Sequence, residues 1–342
     1  MGIVDLENTA QALVSGGKGI LAADETPQTL TKRFEALKIN STPDSRRDYR
    51  EMFFTAPDVA EFISGAILQD ETIHQKNSTG TPLADVLTKQ GVIPGIKVDT
   101  GAKSLAGFEG ETVTEGLDGL RDRLANYRQM GARFAKWRAV IRIADRLPSS
   151  TCLNVNAHAL ARYAALCQEQ GLVPIVEPEV LMDGSHSIGR CEEVTSKVLH
   201  ATFNALFEQR VSLEGMLLKP NMVIAGKQCP KQASVEEVAR ATFRCLRQHV
   251  PPAVPGVVFL SGGQDHVTAT QHLNAINQLR APKPWKLSFS YGRALQDEAL
   301  QAWHGKRENL QSGQRAFSHR GKCVRAAALG EYTQANEGEL AA

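Results

Sequence analysis

In the stretch EGMLLKPNMVIAG, residues 214–226, a single lysine, Lys219, follows the apolar run Met216–Leu218. An ammonium buried without a partner costs several kcal/mol, so a lysine in such a run is paired, neutral or reactive. Other apolar runs carry charges two residues apart: Lys136 and Arg138 in FAKWRAVI, Glu177 and Glu179 in LVPIVEPEVL. On a strand that spacing puts both side chains on one face, so two cations would face two carboxylates. The chemistry such a set can do is attack on a carbonyl by an amine. A lysine is a nucleophile only as the free base, ~0.04% of the population at pH 7 for an ordinary lysine. Apolar burial lowers a lysine pKa by up to ~3–5 units, and neighbouring cations push the same way. Lys97 is followed two residues later by Asp99 and reads as paired, while Lys136 shares its face with Arg138 and suits anions or developing charge. Lys219 has no carboxylate nearby in its own strand, which makes it the expected Schiff-base former. Glu177 or Glu179 then supplies the acid and base for carbinolamine formation and dehydration.

Such a set works only if the strands bring it together. Eight short apolar, β-branched runs recur, at 18–24, 62–70, 92–99, 134–141, 172–181, 216–224, 256–263 and 285–292. Each is apolar enough to be covered on both faces, as parallel sheets require. Between them lie segments with apolar residues at three- and four-residue spacing, such as GLDGLRDRLANYRQMG and SVEEVARATFRCLRQHV; the first ends in a capping glycine and the second opens on a Ser-x-x-Glu capping box. Eight strands alternating with helices predict a (β/α)8 TIM barrel, one α/β domain over 1–342 with its core at 17–331. The competing open doubly wound sheet lacks its usual GxGxxG, and GxxxxGK[ST] is absent too. Residues 295–331 read as helical, and the polar segment 332–342 as a mobile tail. Asp24, Lys97, Lys136, Arg138, Glu177, Glu179, Lys219, Ser261, Ser290 and Arg293 sit mainly in the C-terminal halves of the runs. At that end a barrel's βα loops build a site, and so many charges are a poor source of stability as mere buried ion pairs.

A second feature concerns phosphate. FLSGGQ closes the seventh run and FSYGRAL the eighth, each leading into a helix, so backbone N–H groups of Ser261, Gly262, Gly263 and Gly292 can ring an anion beside Arg293. Loops after strands 7 and 8 are the usual phosphate site of this architecture.

Composition narrows the function further. Thirty-nine basic against 37 acidic residues leave a net charge of +2, far from the bias expected of a nucleic-acid or anionic-membrane binder. Six scattered cysteines without a CxxC pair read as reduced thiols in a reducing compartment, the cytoplasm. No export or myristoylation signal and no spanning apolar segment is recognisable. The nine histidines show no ligand-like clustering along the chain, so no metal and no cofactor is expected.

In this order, ILAADE, GIKVD, FAKWR, PIVEPE, LLKPNM, FLSGGQ and FSYGRAL resemble the class I, Schiff-base-forming fructose-bisphosphate aldolases, over about Gly17 to Tyr332. The resemblance implies an imine at Lys219, with Glu177 as acid and base around it, Glu179 in support, Asp24 handling the C4 hydroxyl proton, and Lys136 stabilising charge beside the carbinolamine. It implies Ser261, Gly262, Ser290, Gly292 and Arg293 at the ketose C1 phosphate, with Gly263 in the same turn. Lys97 and Arg138, with Arg33 and the hydroxyls of Thr26 and Thr29, are implied at the C6 phosphate. It also implies sugar-phosphate substrates, a place in glycolysis and gluconeogenesis, and a homotetramer. Two departures stand out: TPQT follows ADE where serines and a glycine are common, and the chain ends EGELAA where many relatives end in a tyrosine that assists proton exchange. Tyr332 matches an internal family position and does not inherit that role. The competing readings are another lysine-imine barrel, such as transaldolase or deoxyribose-phosphate aldolase, a metal-dependent aldolase, and an idle barrel kept as a binding scaffold.

Overall fold

The computed structural model describes residues 2–341. Ten strands form in chain order: β1 (Gly19–Ala23), β2 (Ile63–Leu68), β3 (Ile93–Lys97), β4 (Gly101–Ser104), β5 (Thr112–Glu115), β6 (Phe134–Ile141), β7 (Val173–Val180), β8 (Leu217–Leu218), β9 (Gly256–Phe259) and β10 (Lys286–Tyr291). Eight of them close a parallel barrel in the order β1-β2-β3-β6-β7-β8-β9-β10, and β4 and β5 form a separate antiparallel hairpin. The hairpin was not expected; it fills the long connection between the third and fourth barrel strands.

The expected run at 216–224 is reduced to the ladder at Leu217–Leu218, because of Pro220. Lys219 N–H still donates to Val176 O at 2.8 Å, but Pro220 has no N–H to offer, and the side chain of Asn221 accepts from Val180 N–H at 3.0 Å instead. The chain is thus released from the sheet one residue after Lys219. In the C-terminal region one expected helical stretch is two helices, Arg293–Trp303 and Leu310–Leu329, separated where His304 and Gly305 adopt positive φ.

Barrel strands alternate inward and outward, and the inward rows change character along their length. On β6 the inward row runs Phe134, Lys136, Arg138; on β7 Val173, Ile175, Glu177, Glu179; on β8 Leu217 and then Lys219. Apolar residues of these rows pack together with Ile20, Ile67 and Val258 and are closed from below by Leu6, Ala10 and Leu13 of the helix Ile3–Leu13. The charged members lie above that floor. Phe134 occupies the space that two glycines leave open: a Cβ on Gly95 would lie 2.2 Å from its ring. Gly95→Ala is therefore expected to destabilise the fold by about 1–3 kcal/mol through overpacking. Chemical denaturation checks this, and an unchanged midpoint would contradict the packing argument.

The tail begins docked. Tyr332 is buried, its hydroxyl donates to Glu337 at 2.7 Å, and Arg320 holds the same carboxylate with two bonds of 2.8 and 2.6 Å. The segment Gln334–Ala341 is a 3-10 helix, and position 342 of the expected tail lies outside the described residues. All six cysteines are free thiols, and none of the described helices is long and apolar enough to cross a membrane.

Candidate active site

The C-terminal ends of the barrel strands enclose a cavity of about 830 Å³. Every residue singled out from the sequence lies on its wall: Lys219, Glu177, Glu179, Asp24, Lys136, Ser261, Gly262, Gly263, Ser290, Gly292, Arg293, Lys97, Arg138, Arg33, Thr26 and Thr29.

At its centre runs a chain of alternating charges. Lys219 Nζ stands 3.2 Å from Glu177 Oε1, Glu177 Oε2 stands 3.0 Å from Lys136 Nζ, and Lys136 donates to Asp24 Oδ2 at 2.8 Å. All four are buried. Lys219 therefore does face a carboxylate, contributed by the neighbouring strand rather than its own.

The two lysines end up on opposite sides of their ordinary pKa. Burial pulls the Lys136 ammonium down, but Asp24, Glu177 and Asp99 more than restore it and leave it raised. Burial likewise lowers Lys219; Glu177 opposes this, Lys136 reinforces it, and the amine stays below the usual lysine range. Burial pushes Asp24 up, yet Lys136, Lys219 and Lys97 hold it well below the usual carboxylate range. Glu177 is lowered as well, against its burial, by Lys136, Lys219 and Arg138. One lysine is thus locked as a cation and the other is eased toward the free amine.

Two anion-receptive rims flank this centre. On one, Gly262 and Gly263 turn with φ of +61° and +80°, and Gly292, which lines the cavity with Arg293, opens the helix Arg293–Trp303 without any side-chain cap. The buried Ser290 hydroxyl finds no hydrogen-bond partner among the described residues, as suits a group awaiting an oxyanion. On the other rim the polar groups are already engaged. Lys97 donates to Asp99 Oδ1 at 2.5 Å, Arg138 Nε pairs with Glu179, and the Thr26 and Thr29 hydroxyls lie 3.0 Å apart. Arg33 is held by Glu25 at 2.6 Å, Gln296 at 2.8 Å, Asp297 at 2.9 Å and the Tyr49 hydroxyl at 3.0 Å.

Several positioning residues escaped the sequence reading. Glu25 anchors Arg33, Asp99 ties Lys97 to the Arg138 backbone N–H at 3.1 Å, and Gln264 pins the glycine turn through Ser261 O at 2.9 Å. The pairing of Asp99 with Lys97 is the one its spacing predicts, whereas its bond to the Arg138 N–H joins residues 39 apart and has no local signature. Tyr332 is absent from the cavity wall, its hydroxyl being taken by Glu337.

Away from the cavity, His319, Cys323 and Glu337 bring ligand-type atoms within 4.8 Å of one another, a grouping that the linear spacing of histidines did not suggest. Both Glu337 oxygens are engaged by Arg320, and one of them also by Tyr332.

Comparison with known proteins follows the same lines. The family model for class-I fructose-bisphosphate aldolase matches residues 5–342. A protein of Xanthomonas axonopodis pv. citri named as a probable fructose-bisphosphate aldolase class 1 is 56% identical over 333 residues, 97% of this chain and 99% of that protein. Cytosolic fructose-bisphosphate aldolase 4 of Arabidopsis thaliana is 54% identical over 316 residues, 92% of this chain and 80% of the relative. Among solved structures, fructose-bisphosphate aldolase from Plasmodium falciparum, crystallised with TRAP and a small-molecule inhibitor, superposes with a TM-score of 0.95 at 49% identity, covering 97% of this chain and 96% of that one.

Proposed function

Because this chain belongs to the class-I fructose-bisphosphate aldolase family, we propose that Lys219 is the amine that carries its reaction and that Glu177, Glu179, Asp24 and Lys136 serve it. The enzyme is an aldehyde-lyase of glycolysis and gluconeogenesis. It cleaves fructose 1,6-bisphosphate reversibly to dihydroxyacetone phosphate and glyceraldehyde 3-phosphate through a lysine Schiff base.

The observation that carries the assignment is that Glu177 stands between two buried lysines, 3.2 Å from Lys219 and 3.0 Å from Lys136, with surroundings that lower the first and raise the second. The free amine of Lys219 adds to the C2 carbonyl, and the new oxyanion takes a proton to give the carbinolamine. Glu177, 3.2 Å from Lys219 Nζ, takes the proton that the Lys219 ammonium gives up and delivers it to the departing hydroxyl, so that water leaves and the iminium forms. Asp24 then accepts the proton of the C4 hydroxyl. The C3–C4 electron pair moves toward the iminium, releasing the aldehyde and leaving an enamine at Lys219. Protonation of C3 and addition of water reverse the first steps and free the ketone. Lys136 remains a cation throughout, holds Asp24 as the carboxylate that can accept a proton, and offsets the negative charge that appears on Glu177 and the carbinolamine oxygen. No tyrosine lines the cavity among the described residues, so the C3 proton comes from another group there or from water.

The rim of Ser261, Gly262, Gly263, Ser290, Gly292 and Arg293 holds the C1 phosphate. The opposite rim of Lys97, Arg138, Arg33, Thr26 and Thr29 takes the C6 phosphate after giving up part of its internal pairing. The two rims favour a bisphosphate over a monophosphate. The testing experiment is a cleavage assay: fructose 1,6-bisphosphate is consumed, deoxyribose 5-phosphate is not, and EDTA leaves the rate unchanged. Loss of activity with EDTA would move the protein to the metal-dependent chemistry.

We read 1–342 as one barrel domain with its working core at 17–331, cytoplasmic and assembled as a homotetramer. Relatives named as cytosolic support the location. Light scattering in solution checks the assembly.

A further inference from the structure

A loop outside the assigned set reaches the C1-phosphate rim. After β8 the chain folds back onto the loop that follows β7: Gly226 N–H donates to His186 O at 2.8 Å, Lys227 N–H to Met182 O at 2.8 Å and Gln228 N–H to Gly184 O at 3.0 Å. The Gln228 side chain returns a bond from Gly184 N–H at 2.7 Å. The approach is so close that a Cβ on Gly226 would lie 2.2 Å from Gly184 O. This backbone clasp determines where the Lys227 side chain starts.

Its other end is informative. The point where Gly263 would carry a Cβ is 3.0 Å from Lys227 Nζ and 3.1 Å from Arg293 Nη2, so at most ~6 Å separates the two cationic nitrogens. Two cations brought this close disfavour each other, and over a glycine turn they together favour an anion. Arg293 forms no ion pair among the described residues, and the carboxylate nearest Lys227 is Asp183, 3.6 Å away and mostly in solvent. A phosphoryl group over the turn can accept hydrogen bonds from both, since each such bond spans ~2.7–3.1 Å.

We propose that Lys227 is a further specificity-determining residue of this enzyme, closing over the C1 phosphate opposite Arg293. The proposal rests on the assignment of that rim to the C1 phosphate. Lys227 then acts on every ligand phosphorylated next to the imine carbon and is indifferent to the C6 end. Asp183 competes with the ligand for it.

The test compares Lys227→Met, Lys227→Arg and Asp183→Asn with the wild type, using fructose 1,6-bisphosphate, fructose 1-phosphate and inorganic phosphate as a competitive inhibitor. Lys227→Met is expected to raise both KM values and the phosphate Ki by the same ~5–10-fold, with kcat within about twofold, at the low end for a charge-assisted contact because the lysine is partly in water. The factor shrinks with added salt, Lys227→Arg restores most of it, and Asp183→Asn lowers the phosphate Ki by about twofold. An unchanged KM for fructose 1-phosphate, or a fall in kcat at unchanged KM, overturns the proposal. Should Lys227→Met fail to fold, Asp183→Asn decides alone, and an unchanged phosphate Ki rejects the lysine. In either case a wild type that still cleaves fructose 1,6-bisphosphate leaves the aldolase assignment standing; a wild type that does not rejects that assignment instead.

Discussion

Lys219→Met is expected to lower kcat for fructose 1,6-bisphosphate cleavage by on the order of 10⁵-fold or more while the protein stays folded, because removing the nucleophile of a covalent mechanism removes the pathway. The side chain is 3% exposed and flanked by Leu217, Leu218 and Pro220, so a thioether of similar length fits the space. Deleting the charge does not strand its partner, since Glu177 keeps Lys136 at 3.0 Å. The thermal midpoint should therefore move by a few degrees at most, in either direction, because the desolvation cost of a buried amine disappears along with its pairing. Steady-state assays and thermal unfolding of the same preparation check both halves. Residual turnover within about a hundredfold of wild type would mean that another lysine carries the imine.

Glu177→Gln is expected to cost ~10²–10⁴-fold in kcat, the range for one general acid–base group, and to move the alkaline-rising limb of the rate toward lower pH. The sign follows from the surroundings of Lys219. Its ammonium form is disfavoured by burial and Lys136 and favoured by Glu177 and Asp24. Removing the Glu177 charge deletes a favourable partner of the cation, so the amine becomes free at lower pH. Imine formation needs that free amine, and its rate rises as pH passes through the Lys219 pKa. A lowered kcat with the limb moved to higher pH, or unmoved, would mean that Glu177 does not act next to Lys219. Asp24→Asn should move the limb the same way by a smaller amount, since Asp24 contacts Lys136 rather than Lys219.

Much of this site is legible in the sequence. Alternation of period two put Lys136 with Arg138 and Glu177 with Glu179, and the inward rows of β6 and β7 carry them so. The eight apolar runs became the eight barrel strands because each is buried on both faces, a pattern that survives in the linear text. What did not survive is anything set by a single long-range bond. The early release of β8 depends on Pro220 and on Asn221 reaching Val180, and the hairpin of β4 and β5 has short, half-exposed strands with little apolar signal. The choice between Glu177 and Glu179 as the carboxylate beside Lys219 stays open in the sequence for the same reason, because only the register of β7 against β8 brings Glu177 within 3.2 Å. The engagement of Arg33 by Gln296 and Asp297 likewise joins residues far apart along the chain.

The account stands or falls on one amine held toward its neutral form inside the barrel. The direct measurement is reduction with borohydride in the presence of dihydroxyacetone phosphate, followed by peptide mapping. The account predicts a single covalent adduct on the peptide containing Lys219, formed faster as pH rises and absent from Lys219→Met. An adduct on Lys97 or Lys136, or no adduct from an enzyme that turns over, would contradict it.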